Sequence, residues 1–367
     1  MRSRFRLQPL NHHSLGFSLL ELLVTIGVLC LFVVLLFSVT DLSFRLWRRT
    51  SSDIAMFDAA RAAYDILTRR LSQATLNTYL DYYDSSWNRR TPANSGSFTP
   101  AKYGRASDLA FYSGDAKNIL GGNQQGHGVF FFAPLGYTAG NASLTDLPNL
   151  LNAIGYYVEW GSDKDYPNLR PPFLNPLPEK YRFRLIERIQ PTQDFKHYPI
   201  FTDGIASNDA NGAWIANTVA SNTSIANPLA DNIIALIIRP EVTSKDAELL
   251  FGAGANPWDL TADYIYDSWV GEQRTTSPEK FQFAQLPPML RVVMVAVSER
   301  DVARIQGSST TPSAALQLSN SLFTNPANLD ADLAALSKQL TDAGIEFRIF
   351  NQVVPIRSAK FSAQKEN

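Results

Sequence analysis

Between Phe17 and Phe37 the chain reads FSLLELLVTIGVLCLFVVLLF, 21 residues with a single charge, Glu21. Backbone in hydrocarbon must satisfy its own polar groups, and at the helical rise this run covers roughly 30 Å, so it is predicted to be one membrane-spanning helix. A secretory signal has a shorter apolar core followed by a small-x-small cleavage site. Here the run continues into SVTDLSFRLW with no such site. Leu29 stands before Cys30 where a lipoprotein signal needs a small residue, and this single cysteine leaves no internal disulfide. Charge counting leaves the orientation open, because Arg2, Arg4 and Arg6 precede the span while Arg45, Arg48 and Arg49 follow it.

Glu21 sets this span apart from a plain anchor. A carboxylate inside an apolar helix costs about 2.5–3.5 kcal/mol on insertion scales, so such residues have a partner, a task or access to headgroup water. Its place, five residues after Gly16 and behind a basic leader without acids, is the informative part. The segment GFSLLELL, Gly16 to Leu23, resembles the prepilin motif of type IV pilin-like proteins. That resemblance implies a cut between Gly16 and Phe17 by a membrane-embedded prepilin peptidase, methylation of the new Phe17 amino group, and a pair between Glu21 and the Phe17 ammonium of a neighbouring subunit. It also places the leader, residues 1–16, on the cytoplasmic side and the chain beyond the span in the periplasm. An absent Cβ suits Gly16 to a narrow peptidase site. Loss of the leader takes the formal charge from -1 to -4, since three arginines leave.

No Pro or Gly occurs from Leu29 to Thr91, and Ile54, Phe57, Tyr64, Leu67 and Leu71 recur at helical steps. The spanning helix, 17–37, is therefore predicted to continue as an extracytoplasmic stem over 38–78, with this face on a sheet and Arg61, Asp65, Arg69 and Arg70 turned away. Residues 79–107, polar and Pro/Gly-bearing, read as a loop. Strand character follows in LAFYSG, GVFFFAPLGY, AIGYYVEWGS, YRFRLIERIQ, NIIALIIRPEV and MLRVVMVAV. In AIGYYVEW the alternation predicts a strand wet on one face. The expected architecture is α+β and pilin-like: a long N-terminal transmembrane and stem helix on a largely antiparallel β-sheet head spanning 79–304.

The succession of LTRRLSQA and these strands up to about Glu299 is similar to that of J-type minor pseudopilins of type II secretion systems. The long leader and a tail, 305–367, depart from that pattern. In the tail, Leu329, Leu333, Leu336 and Leu340 predict a helix over 328–343, with Gly344 as C-cap, and IEFRIFNQVVPI predicts a strand over 345–356. The closing FRIFNQVVPIRSAKFS resembles a verrucomicrobial group of prepilin-like proteins called cassette protein C. A leucine stripe at this spacing is a packing face, and the tail is expected to belong to the core.

Chemistry is sparse. His12 and His13 lie in the leader, leaving His127 and His197 too isolated for a ligand cluster. The sequence has no G-x-S-x-G, H-E-x-x-H or Walker loop. The glycine-rich GGNQQGHG, Gly121 to Gly128, lacks the Lys-Ser/Thr of a phosphate loop and reads as a turn. Asp203, Asp209 and Asn211 offer oxygens in DGIASNDANG, but their spacing does not fit the helix-loop-helix calcium pattern. No metal, no cofactor and no enzymatic activity are expected, and a net charge of -1 argues against non-specific nucleic-acid binding.

The function implied by the resemblance is a minor pseudopilin-like subunit, held in the inner membrane and built with other pilins into a filament. A minor pilin or adhesin of a type IV pilus, and a signal-anchored periplasmic enzyme with a site invisible in sequence, stand as alternatives.

Overall fold

The computed structural model describes residues 18–90, 94–140, 149–166, 169–194, 215, 225–269 and 281–361. The leader with Gly16 and Phe17, and the loop residues His197, Asp203, Asp209 and Asn211, lie outside the described residues. The chain divides into two units, Met1–Ala55 and Met56–Asn367. In the first, helix α1 (Leu19–Leu71) begins with the stretch Leu19–Phe44, of mean hydropathy 3.0 and with none of it buried.

In the second unit α1 turns Phe57, Ala60, Ala63, Tyr64, Leu67 and Leu71 into the core. These three- and four-residue steps keep one face of the helix in register with the apolar surface under it. The helix ends at Leu71, short of the expected 78. Gln73 and Ala74 tighten its last turn by donating to Arg70 and Leu71 carbonyls, and Thr75 then donates to Phe132 O, 2.8 Å away. Arg70 does not turn away as expected: its guanidinium pairs with Glu187.

The region read as a loop contains a hairpin, β1 (Tyr79–Tyr83) and β2 (Lys102–Ala106), which places Tyr82 opposite Tyr103. The exposed side of this hairpin carries Leu80, Tyr82 and Tyr103 while Asp81 lies on the less exposed side, so polarity does not follow burial and the sequence shows no strand alternation. Then come β3 (Tyr112–Asp115), the short helix α2 (Ala116–Leu120), β4 (Gln124–Pro134), β5 (Leu151–Ser162), β6 (Tyr181–Gln190), β7 (Ile225–Asp231) and β8 (Ile233–Glu241). Helix α3 (Ser244–Phe251) and the two-residue β9 (Tyr266–Asp267) follow, then β10 (Met289–Val297), α4 (Glu299–Gln306), α5 (Leu329–Asp342) and β11 (Phe347–Pro355).

Six strands form one antiparallel sheet in the order β7-β6-β5-β4-β3-β9, and three form another, β11-β10-β8. Strand β5 is not wet on one face. Ile154, Tyr156 and Val158 enter the core shared with α1, β8 and β10, while Ala153 and Tyr157 join Phe130, Phe132, Ile186 and Ile215 in a second core behind the sheet. A sheet covered on both sides buries both residue parities, which strand periodicity alone cannot distinguish from the half-exposed case. Leu329, Leu333, Leu336 and Leu340 are all buried, so the described part of the tail, residues 305–361, supplies a wall of the main core.

Candidate functional site

Ser18 starts α1 by offering its hydroxyl to the Leu20 N–H and its carbonyl to the Leu22 N–H. Glu21 occupies the first helical turn, where the exposed N–H groups and the helix dipole favour a carboxylate. The hydroxyls that follow are satisfied within the helix: Thr25 donates to Glu21 O at 2.8 Å, Ser38 to Leu35 O, Thr40 to Leu36 O and Ser43 to Val39 O. The Glu21 carboxylate, by contrast, is exposed and has no ion pair among the described residues. Between Leu19 and Phe37 the helix thus carries Glu21 as its one charged residue, without an ion pair among the described residues, on a surface that is otherwise apolar or internally satisfied. Chemically such an arrangement can accept a cation, and in hydrocarbon it demands one.

Several acids of buried regions are taken up by arginines. Glu187 meets Arg70 and the Tyr156 hydroxyl. Glu241 Oε1 accepts from Arg239 and Arg291, the latter at 2.8 Å. Glu299 is partly desolvated, yet two bonds from Arg182 and one from Asn232 outweigh that and hold its carboxyl below the usual range. Among the described residues no group of three His, Cys, Asp or Glu could hold a metal ion. These clusters tie strands together.

His127 has such a role too, and it corrects the reading of the glycine-rich segment as a turn. Residues 124–128 form the start of β4, where the register with β5 shifts between Gln125 and Val129. Gly126 has φ +72, and a Cβ there would lie 2.9 Å from Leu236 O, so only glycine allows this approach to β8. Gln125 Nε2 donates to Ile234 O, while His127 Nδ1 accepts from the Ile238 N–H at 3.1 Å. Its Nε2 faces Phe323 O at 3.3 Å and therefore carries the proton. The segment reads as a turn because its glycines break the strand pattern; the one signal that fits the outcome is glycine at the head of an apolar run, which also marks a bulge.

Burial lowers the His127 pKa, although the carbonyls of Phe323 and Ile238 and the charges of Asp115 and Asp263 act the other way. With its folded value below 6.5, the unfolded chain takes up the proton first as pH falls. Stability is complete above about pH 6.5 and declines below it, by up to about 1.4 kcal/mol per pH unit. Unfolding curves of the full chain in detergent at several pH values are expected to show a steeper acid loss for the native protein than for His127→Gln. Equal slopes would remove the imidazole from the account.

Fold and site together define an α+β protein with antiparallel sheets and one N-terminal helix, Leu19–Phe44, long and apolar enough to cross a membrane. No family model matches the chain, and neither the curated proteins nor the solved structures contain a match to it.

Proposed function

We propose that this chain is a minor pseudopilin-like subunit of a type II secretion-like filament, with a pilin-like fold and no catalytic activity of its own. Prepilin peptidase removes residues 1–16 by cutting between Gly16 and Phe17 and methylates the Phe17 amine; Glu21 then neutralises that amine on an adjacent subunit. The chain sits in the inner membrane with its N-terminus cytoplasmic and residues beyond the span periplasmic, and its partners are the peptidase and other pilins or pseudopilins. No nucleic acid is required.

The observation that carries this reading is the carboxylate at position 21, without an ion pair among the described residues, in the first turn of an apolar helix and five residues past Gly16. A plain anchor has no need of an acid there, whereas an ammonium brought by a neighbour offsets the cost of immersing both charges. The antiparallel sheets and the apolar face of α1 between Phe57 and Leu71 are compatible with a pilin-like head.

The test is the intact mass of the protein isolated from its native membrane. The expected species starts at N-methyl-phenylalanine, residue 17. A chain that retains Met1 and the basic leader would overturn the proposal.

A further inference from the structure

The edges of the two larger sheets are treated unequally. Strand β7 carries Pro228, and its pairing with β6 is interrupted beside Leu185. Strand β9 has only two residues. The free edge of β8 is occupied by Gln125 and His127 through their bonds to Ile234 and Ile238. Such short, blunted or covered edges are how sheets avoid pairing with another chain.

Strand β11 is protected only at its end, where Pro355 offers no outward N–H, and is otherwise open. It is nine residues long, and its register with β10 runs unbroken from Met289↔Pro355 to Val297↔Phe347. Ile356 donates to Pro288 O, and Ser298 donates to Glu346 O, so even-numbered residues face β10. By the alternation of an antiparallel ladder, Phe347, Ile349, Asn351 and Val353 turn their N–H and C=O groups outward. No partner for these groups occurs among the described residues. One face of the strand is occupied by α1, where Phe350 stacks on Tyr64 and Arg348 lies over Phe57. The outward edge stays open, with Ile349 and Asn351 exposed.

We infer that β11 is the acceptor edge for an extended strand of a partner protein that carries acidic residues. From Phe347 to Phe361 the chain contains Arg348, Arg357 and Lys360 and no acid, and all three are exposed. Glu346 lies just outside this stretch. At the entrance to the strand Arg300 and Arg304 are balanced by Asp301 and Glu346, so the positive surplus is confined to the strand and the residues that follow it. Main-chain bonds to the edge supply affinity, and the basic border selects the sign of the incoming strand. The same border opposes pairing of two β11 edges, since like charges would meet.

The inference concerns residues 347–361 alone and holds whether or not the leader is cleaved. Its test uses the full chain in neutral detergent with two nine-residue peptides, one alternating valine with glutamate and one alternating valine with lysine. The acidic peptide is expected to slow amide exchange at Ile349, Asn351 and Val353 about tenfold, and the basic peptide to leave it unchanged. Asn351→Pro removes an outward N–H that the fold does not use and is expected to abolish the effect while leaving the melting temperature nearly as it was. Should that variant fail to fold, Arg357→Gln with Lys360→Gln is expected to remove the preference for the acidic peptide. Protection by neither peptide, or by both equally, would overturn the inference. Protection that grows with protein concentration in the absence of peptide would assign the edge to a second copy and overturn it as well.

Discussion

Arg70→Ala is expected to destabilise the unit Met56–Asn367 by about 3–5 kcal/mol, the range for breaking a buried pair by removing one partner. The Glu187 side chain is only 6% exposed and would be left charged against the core, with the Tyr156 hydroxyl as its remaining partner. Burial, and after it the Glu187 charge, raises the Tyr156 pKa far above that of a free phenol, so the hydroxyl keeps its proton and goes on donating to Glu187. Glu187→Ala should cost less, about 3 kcal/mol, because the Arg70 side chain keeps 34% of its surface exposed and can turn to water. Replacing both residues by alanine is expected to cost less than the sum of the two single changes, since neither charge then stays buried unpaired. Denaturant unfolding of the four proteins measures this directly, and simple additivity of the single changes would show that the two side chains act independently.

The second large effect concerns assembly. Under the proposed function, Glu21→Ala leaves the peptidase site at Gly16 and Phe17 intact, so the processed mass should be the same as in the parent protein. Incorporation into filaments should fall about a hundredfold. The immersed Phe17 ammonium of each neighbour then has no carboxylate, and a loss of about 2.5–3.5 kcal/mol in a docking step corresponds to that factor. Recovery of the variant in sheared filaments at the parental level would refute the pairing. Glu21→Asp is a useful companion, because it keeps the charge but shortens the reach, and an intermediate level of incorporation is expected.

The local pattern of the chain determined a good deal. The apolar run from Phe17 to Phe37, broken only by Glu21, dictates a helix that can cross a bilayer, since a single segment satisfies its own backbone in hydrocarbon only as a helix. Strands β6 and β10 coincide with YRFRLIERIQ and MLRVVMVAV because β-branched and aromatic residues run there without turn formers. The leucines of α5 announce their helix and its buried face alike. Glu21 is visible for the same kind of reason: a lone charge within an apolar stretch needs no neighbour in space to be noticed.

Tertiary structure decided what depends on partners distant in the chain. That both faces of β5 are buried follows from a second core containing Leu109, Ala110 and Ile215. Arg70 turns inward for Glu187, 117 residues away, although its helical position reads as solvent-facing. Gly126 and His127 look like a turn until β8 is brought against them, and only then does the missing Cβ become a requirement and the imidazole a clamp. The open edge of β11 is likewise a property of the assembled sheet, because a strand's sequence does not say which of its neighbours has a neighbour in turn. Periodicity encodes the surface each element offers, whereas which surfaces meet is settled by long-range packing, which no short window of residues contains.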